Sequence, residues 1–297
     1  MSQLAQPVQL PQEKLSPALG NAGLRRLLVL IGLILWLYAG VLGRLAHQWW
    51  TDPNFSHGFF VPIFALYVVW QKRDSLRTVP SAPTAWGLAV MLFSLGTLVL
   101  GVLGAELFLS RVSLIMLLVG LVLFLQGWGM LQALLFPLAI LFLMVPIPSI
   151  ILNQITFPLQ MLASKLSAWI LPFLGVPVLR EGNVINLPAM PLEVADACSG
   201  IRSLLSLTCL AVMYGYLLEK RMGIRVILAL ASIPIAVAAN GLRIVGTGLL
   251  VQYWDPEKAE GFFHAFSGWL IFVVSLLMLF AVHRLLVMRR NQHEVSA

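Results

Sequence analysis

Residues 226–251 read VILALASIPIAVAANGLRIVGTGLLV, a run of 26 residues in which Arg243 is the only charge. A stretch so long and apolar exceeds the roughly 20 residues that carry a helix across a bilayer. Working outward from it, seven further apolar stretches recur: Leu27–Leu42, Gly58–Trp70, Ala85–Gly104, Val112–Leu125, Leu131–Ile147, Ser199–Leu218 and Ala265–His283. Composition agrees, with 60% hydrophobic and only 10% charged residues, against roughly 25% charged in a soluble domain. The mean hydropathy of +0.92 leaves too little polar surface to solvate a globule. A soluble enzyme and a disordered chain are excluded. The expected fold is an all-α integral membrane bundle of about eight transmembrane helices.

The net charge of +7 would suggest a nucleic-acid partner if the basic residues were clustered at random. They are not. With the amino terminus inside, the cytoplasmic segments hold 12 of the 19 Lys and Arg residues and the outer segments hold 5 (Arg44, Arg111, Lys165, Arg180 and Lys258). The remaining two, Arg202 and Arg243, fall within spans. Basic flanks of this kind orient membrane proteins, so both termini are expected in the cytoplasm and nucleic acid is set aside. The first span reads as an uncleaved signal anchor, since no small-residue cleavage site follows Leu42. The organisation is then a cytoplasmic segment 1–26, a transmembrane domain 27–288 and a tail 289–297. Between the fifth and sixth spans, residues 148–197 form the one sizeable outer segment, expected as a small extracytoplasmic cap. Its first half reads as an interfacial amphipathic helix or a pair broken at Pro158, and its second half as short strands or extended loops.

Ionisable groups inside a span cost several kcal/mol unless paired or hydrated, which makes each a functional candidate. Arg243, in Asn240-Gly241-Leu242-Arg243, is the leading case, because no Asp or Glu lies within any of the eight stretches. Arg202 sits one turn into the sixth span, where it can snorkel outward. Cys198 stands at the outer entrance of the same span, where helix N-terminal amides favour a thiolate. Cys209, eleven residues on and so about 16 Å deeper, is too far to bridge Cys198 and reads as packing. His264 opens the eighth span. A thiol, an imidazole and a guanidinium from three spans thus gather at one leaflet, which suits a nucleophile, a general acid and an oxyanion clamp. A second outer cluster, Trp49 to Gly58, carries Asp52 and His57, either of which could line a site mouth; its tryptophans also suit an aromatic belt. No His-Glu-x-x-His motif occurs, and no metal or cofactor is expected.

At these residues the chain resembles the exosortase/archaeosortase family of integral membrane proteins. The resemblance rests on Ala197-Cys198-Ser199-Gly200-Ile201-Arg202-Ser203-Leu204, on Asn240-Gly241-Leu242-Arg243, and on Phe263-His264 leading to Ser267-Gly268. Asn54-Phe55-Ser56-His57-Gly58 also fits, and the match runs from about residue 25 to 290 in family-like order. The resemblance implies a cysteine transpeptidase of the bacterial cell inner membrane, acting on its outer face. It implies protein substrates with a sorting tail of the PEP-CTERM type: a Pro-Glu-Pro-type motif, a transmembrane helix and a basic cluster. Catalytic Cys198, Arg243 and His264 carry over from it, with Arg202, His57 and Asn240 as substrate-binding candidates. A lipid or glycan acceptor, or water, would resolve the thioacyl-enzyme. The form expected is the one without the additional carboxy-terminal domain. Two rivals stay open: a transporter using Arg243 to bind anions, and a non-catalytic component of exopolysaccharide export.

Overall fold

A computed structural model describes residues 21–193, 200–254 and 262–296. Residues up to Gly43 and those from Arg44 onward form two compact units. Helices dominate: α1 (Asn21–Leu37), α2 (Ala39–Thr51), α3 (Phe60–Gln71), α4 (Arg73–Arg77), α5 (Trp86–Leu103), α6 (Leu107–Gln126), α7 (Trp128–Ala133), α8 (Leu135–Ile140) and α9 (Ser149–Ile170). Three short strands follow, β1 (Leu179–Glu181), β2 (Val184–Asn186) and β3 (Pro191–Glu193), then α10 (Gly200–Leu218), α11 (Met222–Tyr253) and α12 (Phe262–Ser296).

Among the described residues five helices are long and apolar enough to cross a membrane, or up to seven if each of two bent helix pairs, 28–51 and 135–174, is one span. The expected count of eight is not confirmed among these residues, and two stretches depart from single helices. Gly58–Trp70 contributes only the 12-residue α3, too short to span alone. Leu131–Ile147 is not one helix but α7, α8 and a 3-10 turn at Leu141–Met144. Pro146 and Pro148 end it, since proline fixes φ and biases the residue before it away from the helix. The chain turns there by 85° into α9. α9 is continuous through Pro158, so the broken-pair alternative for this segment does not hold.

α5 and α6 form a close hairpin. Gly87 faces the backbone of Phe124 and Gly101 faces Ser110, so a Cβ at either place would overlap its neighbour. Small residues of this kind let membrane helices approach. The region around α11 positions the site. The antiparallel sheet, in order β1-β2-β3, joins Ile185, Leu187 and Leu192 to Leu171, Val176 and the Ile244, Val245 and Val251 side chains of α11. The Ser167 hydroxyl on α9 donates to the carbonyls of Ala163, at 2.9 Å, and of Gly241 on α11, at 3.1 Å. A second core joins Leu207 and Ala211 of α10, Leu228 and Ile235 of α11, and Leu279 of α12.

Candidate functional site

Arg243 lies on the stretch of α11 held from one side by the sheet and by the Ser167 bond to Gly241. It is only 4% exposed. Its guanidinium faces α12 at Gly268: a Cβ placed there would lie 3.6 Å from Nη2, 3.7 Å from Cζ and 3.8 Å from Nη1. Three nearly equal distances mean that the flat face of the group meets this position, with the donor-bearing edge running alongside the helix. Gly268 therefore leaves the room that lets a guanidinium lie against a helix. His264 precedes Gly268 by four residues in α12, and positions four apart share a helix face. The fold thus brings Arg243 to the helix, and to the face by register, that carries His264. The side chain of His264 and all of Cys198 lie outside the described residues. α10 begins two residues after Cys198, at Gly200, and α10 packs on both α11 and α12.

The other candidates separate. Arg202 is exposed on the first turn of α10. Asn240, 7% exposed, lines a pocket of about 20 Å³ between α9, α10 and α11, together with Thr156, Gln160, Ile201 and Ala236. That is room for about one water-sized group. Cys209 is buried within α10.

The stretch from Trp49 to Gly58 is an anchored structure, more than an aromatic belt. Asp52 caps the 3-10 segment Pro53–Phe59 by accepting from the Asn54 amide at 2.9 Å. The Trp49 indole donates to the Met144 carbonyl at 2.9 Å, and His57 Nε2 lies 3.2 Å from the Leu143 carbonyl. A carbonyl only accepts, so Nε2 carries the proton and Nδ1 presents its lone pair. Nδ1 is buried and has no hydrogen-bond partner among the described residues. Burial pushes the His57 pKa below its ordinary value, opposed by the carbonyls of Leu143 and Asn54. Burial thus favours the neutral imidazole of His57, which precedes α3. Gly58 admits the Trp49 ring, which a Cβ would overlap. The segment packs on α10. Phe64 of α3 meets Tyr216 near the end of α10.

Two clusters escaped the sequence reasoning. Arg111, counted there in an outer loop, lies in α6 and is 4% exposed, because the helix starts at Leu107 with Glu106 as its cap. At the other end of α10, the Tyr214 hydroxyl meets His283 Nδ1 at 2.7 Å, and His283 Nε2 meets Glu219 Oε1 at 2.8 Å. This chain ties α10 to α12; period-based reading sees only three unrelated polar residues. Among the described residues no group of three His, Cys, Asp or Glu could hold a metal ion.

The order of these elements has a counterpart among known proteins. Residues 49–281 match the family described as transmembrane exosortase (Exosortase_EpsH), over more than three quarters of the chain. The chain belongs to the transmembrane exosortase family. No curated protein and no solved structure matches it. The match starts at Trp49, includes the 53–59 segment, and runs through α10, α11 and most of the apolar part of α12. This exosortase is accordingly a multi-pass membrane protein of a protein-sorting enzyme family.

Proposed function

We propose that this exosortase is a cysteine transpeptidase that removes the carboxy-terminal sorting tail of exported membrane-anchored proteins. The observation that carries the reading is the burial of Arg243 against Gly268, one helical turn from His264. A guanidinium held there, beside the helix that bears an imidazole, suits a clamp for developing negative charge. In this reading the Cys198 thiolate attacks the scissile carbonyl and forms a thioester while the C–N bond breaks. His264 delivers a proton to the leaving amine, and Arg243 stabilises the oxyanion. An acceptor amine or hydroxyl, from a lipid or glycan, or else water, then attacks the thioester and frees the thiolate. The site faces the periplasmic side of the inner membrane, with both termini in the cytoplasm and the 148–193 segment as a cap on the outer face. Asn240, Arg202 and His57 border the substrate path.

The test is co-expression with a reporter ending in a Pro-Glu-Pro-type tail, followed by immunoblot for tail removal. Cys198→Ala abolishes processing, whereas Cys209→Ala, a change within the α10 core, preserves it. Processing that survives Cys198→Ala refutes the cysteine mechanism. In that case a transporter or a non-catalytic export component becomes the better reading.

A further inference from the structure

Two contacts fix the register of the antiparallel pair α10 and α11. A Cβ on Gly215 would lie 3.5 Å from the Arg225 Cα, and the Thr208 and Ser232 hydroxyls meet at 2.9 Å. Both helices rise equally per residue, so the same register brings Gly200, where α10 begins, level with Asn240 of α11. α9 also packs along α11 but scarcely touches α10. A crevice is left between the two flanking helices with α11 as its floor, and this is the pocket of about 20 Å³. Each helix gives it one face: Thr156 and Gln160 from α9, Ile201 and Leu204 from α10, Ala236 and Asn240 from α11. The members of each pair are three or four residues apart, as residues on one helix face must be. Thr156, Ala236 and Asn240 are buried. Gln160, Ile201 and Leu204 are only partly so, and the space is partly open.

The pocket lies inward of the candidate site along both spanning helices. Asn240 and Ala236 precede Arg243 by three and seven residues, which is roughly 4.5 and 10 Å toward the middle of α11. Ile201 and Leu204 follow Cys198 by three and six residues in the sequence and stand in the first turns of α10. In the tail-processing reading, on which this inference rests, the substrate's own transmembrane helix follows the cleaved bond. The substrate chain therefore runs from that bond toward the middle of the bilayer, and its first residues on the tail side pass the pocket. Residues before the bond lead out of the membrane and away from it. The space holds about one water-sized group, so a hydrogen or a methyl enters and a branched side chain or a lipid chain does not. The Thr156 hydroxyl donates to the Asn153 carbonyl at 3.4 Å. The amides of Asn240 and Gln160 each carry a donor and an acceptor that suit a passing peptide backbone. We propose that this pocket is a specificity subsite that selects a small side chain, Gly or Ala, at one position just on the tail side of the scissile bond.

Reporters carrying Ala or Leu at each residue around the cut, which is located by mass spectrometry of the processed product, test the subsite. The readout is the Leu-to-Ala ratio of processing rates within each enzyme, so that differences in abundance or folding cancel. At one tail-side position the wild type cleaves the Leu reporter on the order of 100-fold more slowly. Ile201→Ala and Gln160→Ala enlarge the pocket from opposite walls, and each raises that ratio about tenfold or more. Neither changes the ratio at positions before the cut. A wild type with no tail-side preference for Ala, or variants that keep the wild-type ratio, overturn the subsite. A second measurement needs no chemistry at the site. The full-length enzyme carrying Cys198→Ala, Cys209→Ala and Ile201→Cys is co-expressed with reporters in which a single cysteine is moved along the tail. A disulfide forms with tail-side positions, and one confined to residues before the cut overturns the subsite. The two claims stay separable. Processing that survives Cys198→Ala refutes the cysteine reading, while tail-side trapping still upholds the pocket; Cys198-dependent processing with unchanged ratios overturns the pocket alone.

Discussion

The space at Gly268 sets a size threshold that the Arg243 clamp has to obey. A Cβ there falls 3.6–3.8 Å from three atoms of the guanidinium, ordinary van der Waals separation. Gly268→Ala is therefore accommodated without moving Arg243. In a helix interior it also gains up to about 1 kcal/mol from the reduced freedom of the unfolded chain. Gly268→Val is different. Its two methyl groups extend about 1.5 Å beyond Cβ, and a β-branched side chain in a helix has essentially one preferred rotamer. One of these carbons then approaches the guanidinium well inside van der Waals contact, and Arg243 has to shift by about 1 Å. Misplacement on that scale costs about 100-fold in rate, and full loss of an oxyanion donor about 100- to 1,000-fold. The assay is the rate of tail removal from the reporter in cells, normalised to the amount of enzyme in the membrane. The expected order is wild type equal to Gly268→Ala, both far above Gly268→Val, with Gly268→Val close to Arg243→Ala. A Gly268→Val enzyme that processes at the wild-type rate refutes the placement of Arg243 against α12 as catalytically relevant. So does a Gly268→Ala enzyme that is inactive at normal abundance.

Three further outcomes follow from the same contacts. Gly58→Ala drives a Cβ into the Trp49 indole and lowers stability by about 1–3 kcal/mol, read as a lower unfolding temperature in detergent. The lowered pKa of His57 means that the unfolded chain binds more protons than the folded one below the ordinary histidine value of about 6.5. Stability therefore falls as pH drops from about 6.5 toward the lowered value, and this acid sensitivity is diminished in His57→Gln when unfolding is followed across that range. His283→Ala removes one partner of a Glu219 carboxylate that is 7% exposed. It costs about 1–3 kcal/mol, measured by the same unfolding assay, and leaves more of the stability in His283→Gln.

Much of this was legible because the membrane makes its demands in composition. The long apolar runs that became α5, α6, α10, α11 and α12 could hardly be read otherwise, and Arg243 stood out as the one charge in its run. The short extended elements after Gly175 were also readable from their Pro, Gly, Val and Ile content. What escaped depends on distant partners. Apolarity alone does not reveal that 131–147 is split into α7, α8 and a turn, because prolines and packing decide where an apolar run bends. The orientation of the His57 ring and the seat of Trp49 come from carbonyls 86 and 95 residues away. The burial of Arg111 hinged on where α6 starts, a boundary that hydropathy draws several residues late, at Val112. The Tyr214–His283–Glu219 chain joins polar residues at the ends of two spans that only the helix packing aligns.

The central claim is that Cys198 becomes acylated, and the most direct measurement is a search for that thioester. The wild-type enzyme would be co-expressed with the reporter, quenched in acid during processing, isolated, and its cysteine peptides mapped by mass spectrometry with and without neutral hydroxylamine. The account requires a substrate-derived adduct on Cys198, removed by hydroxylamine, with Cys209 unmodified. Continued tail removal with no adduct on Cys198, or the same adduct recovered from Cys198→Ala, would contradict it.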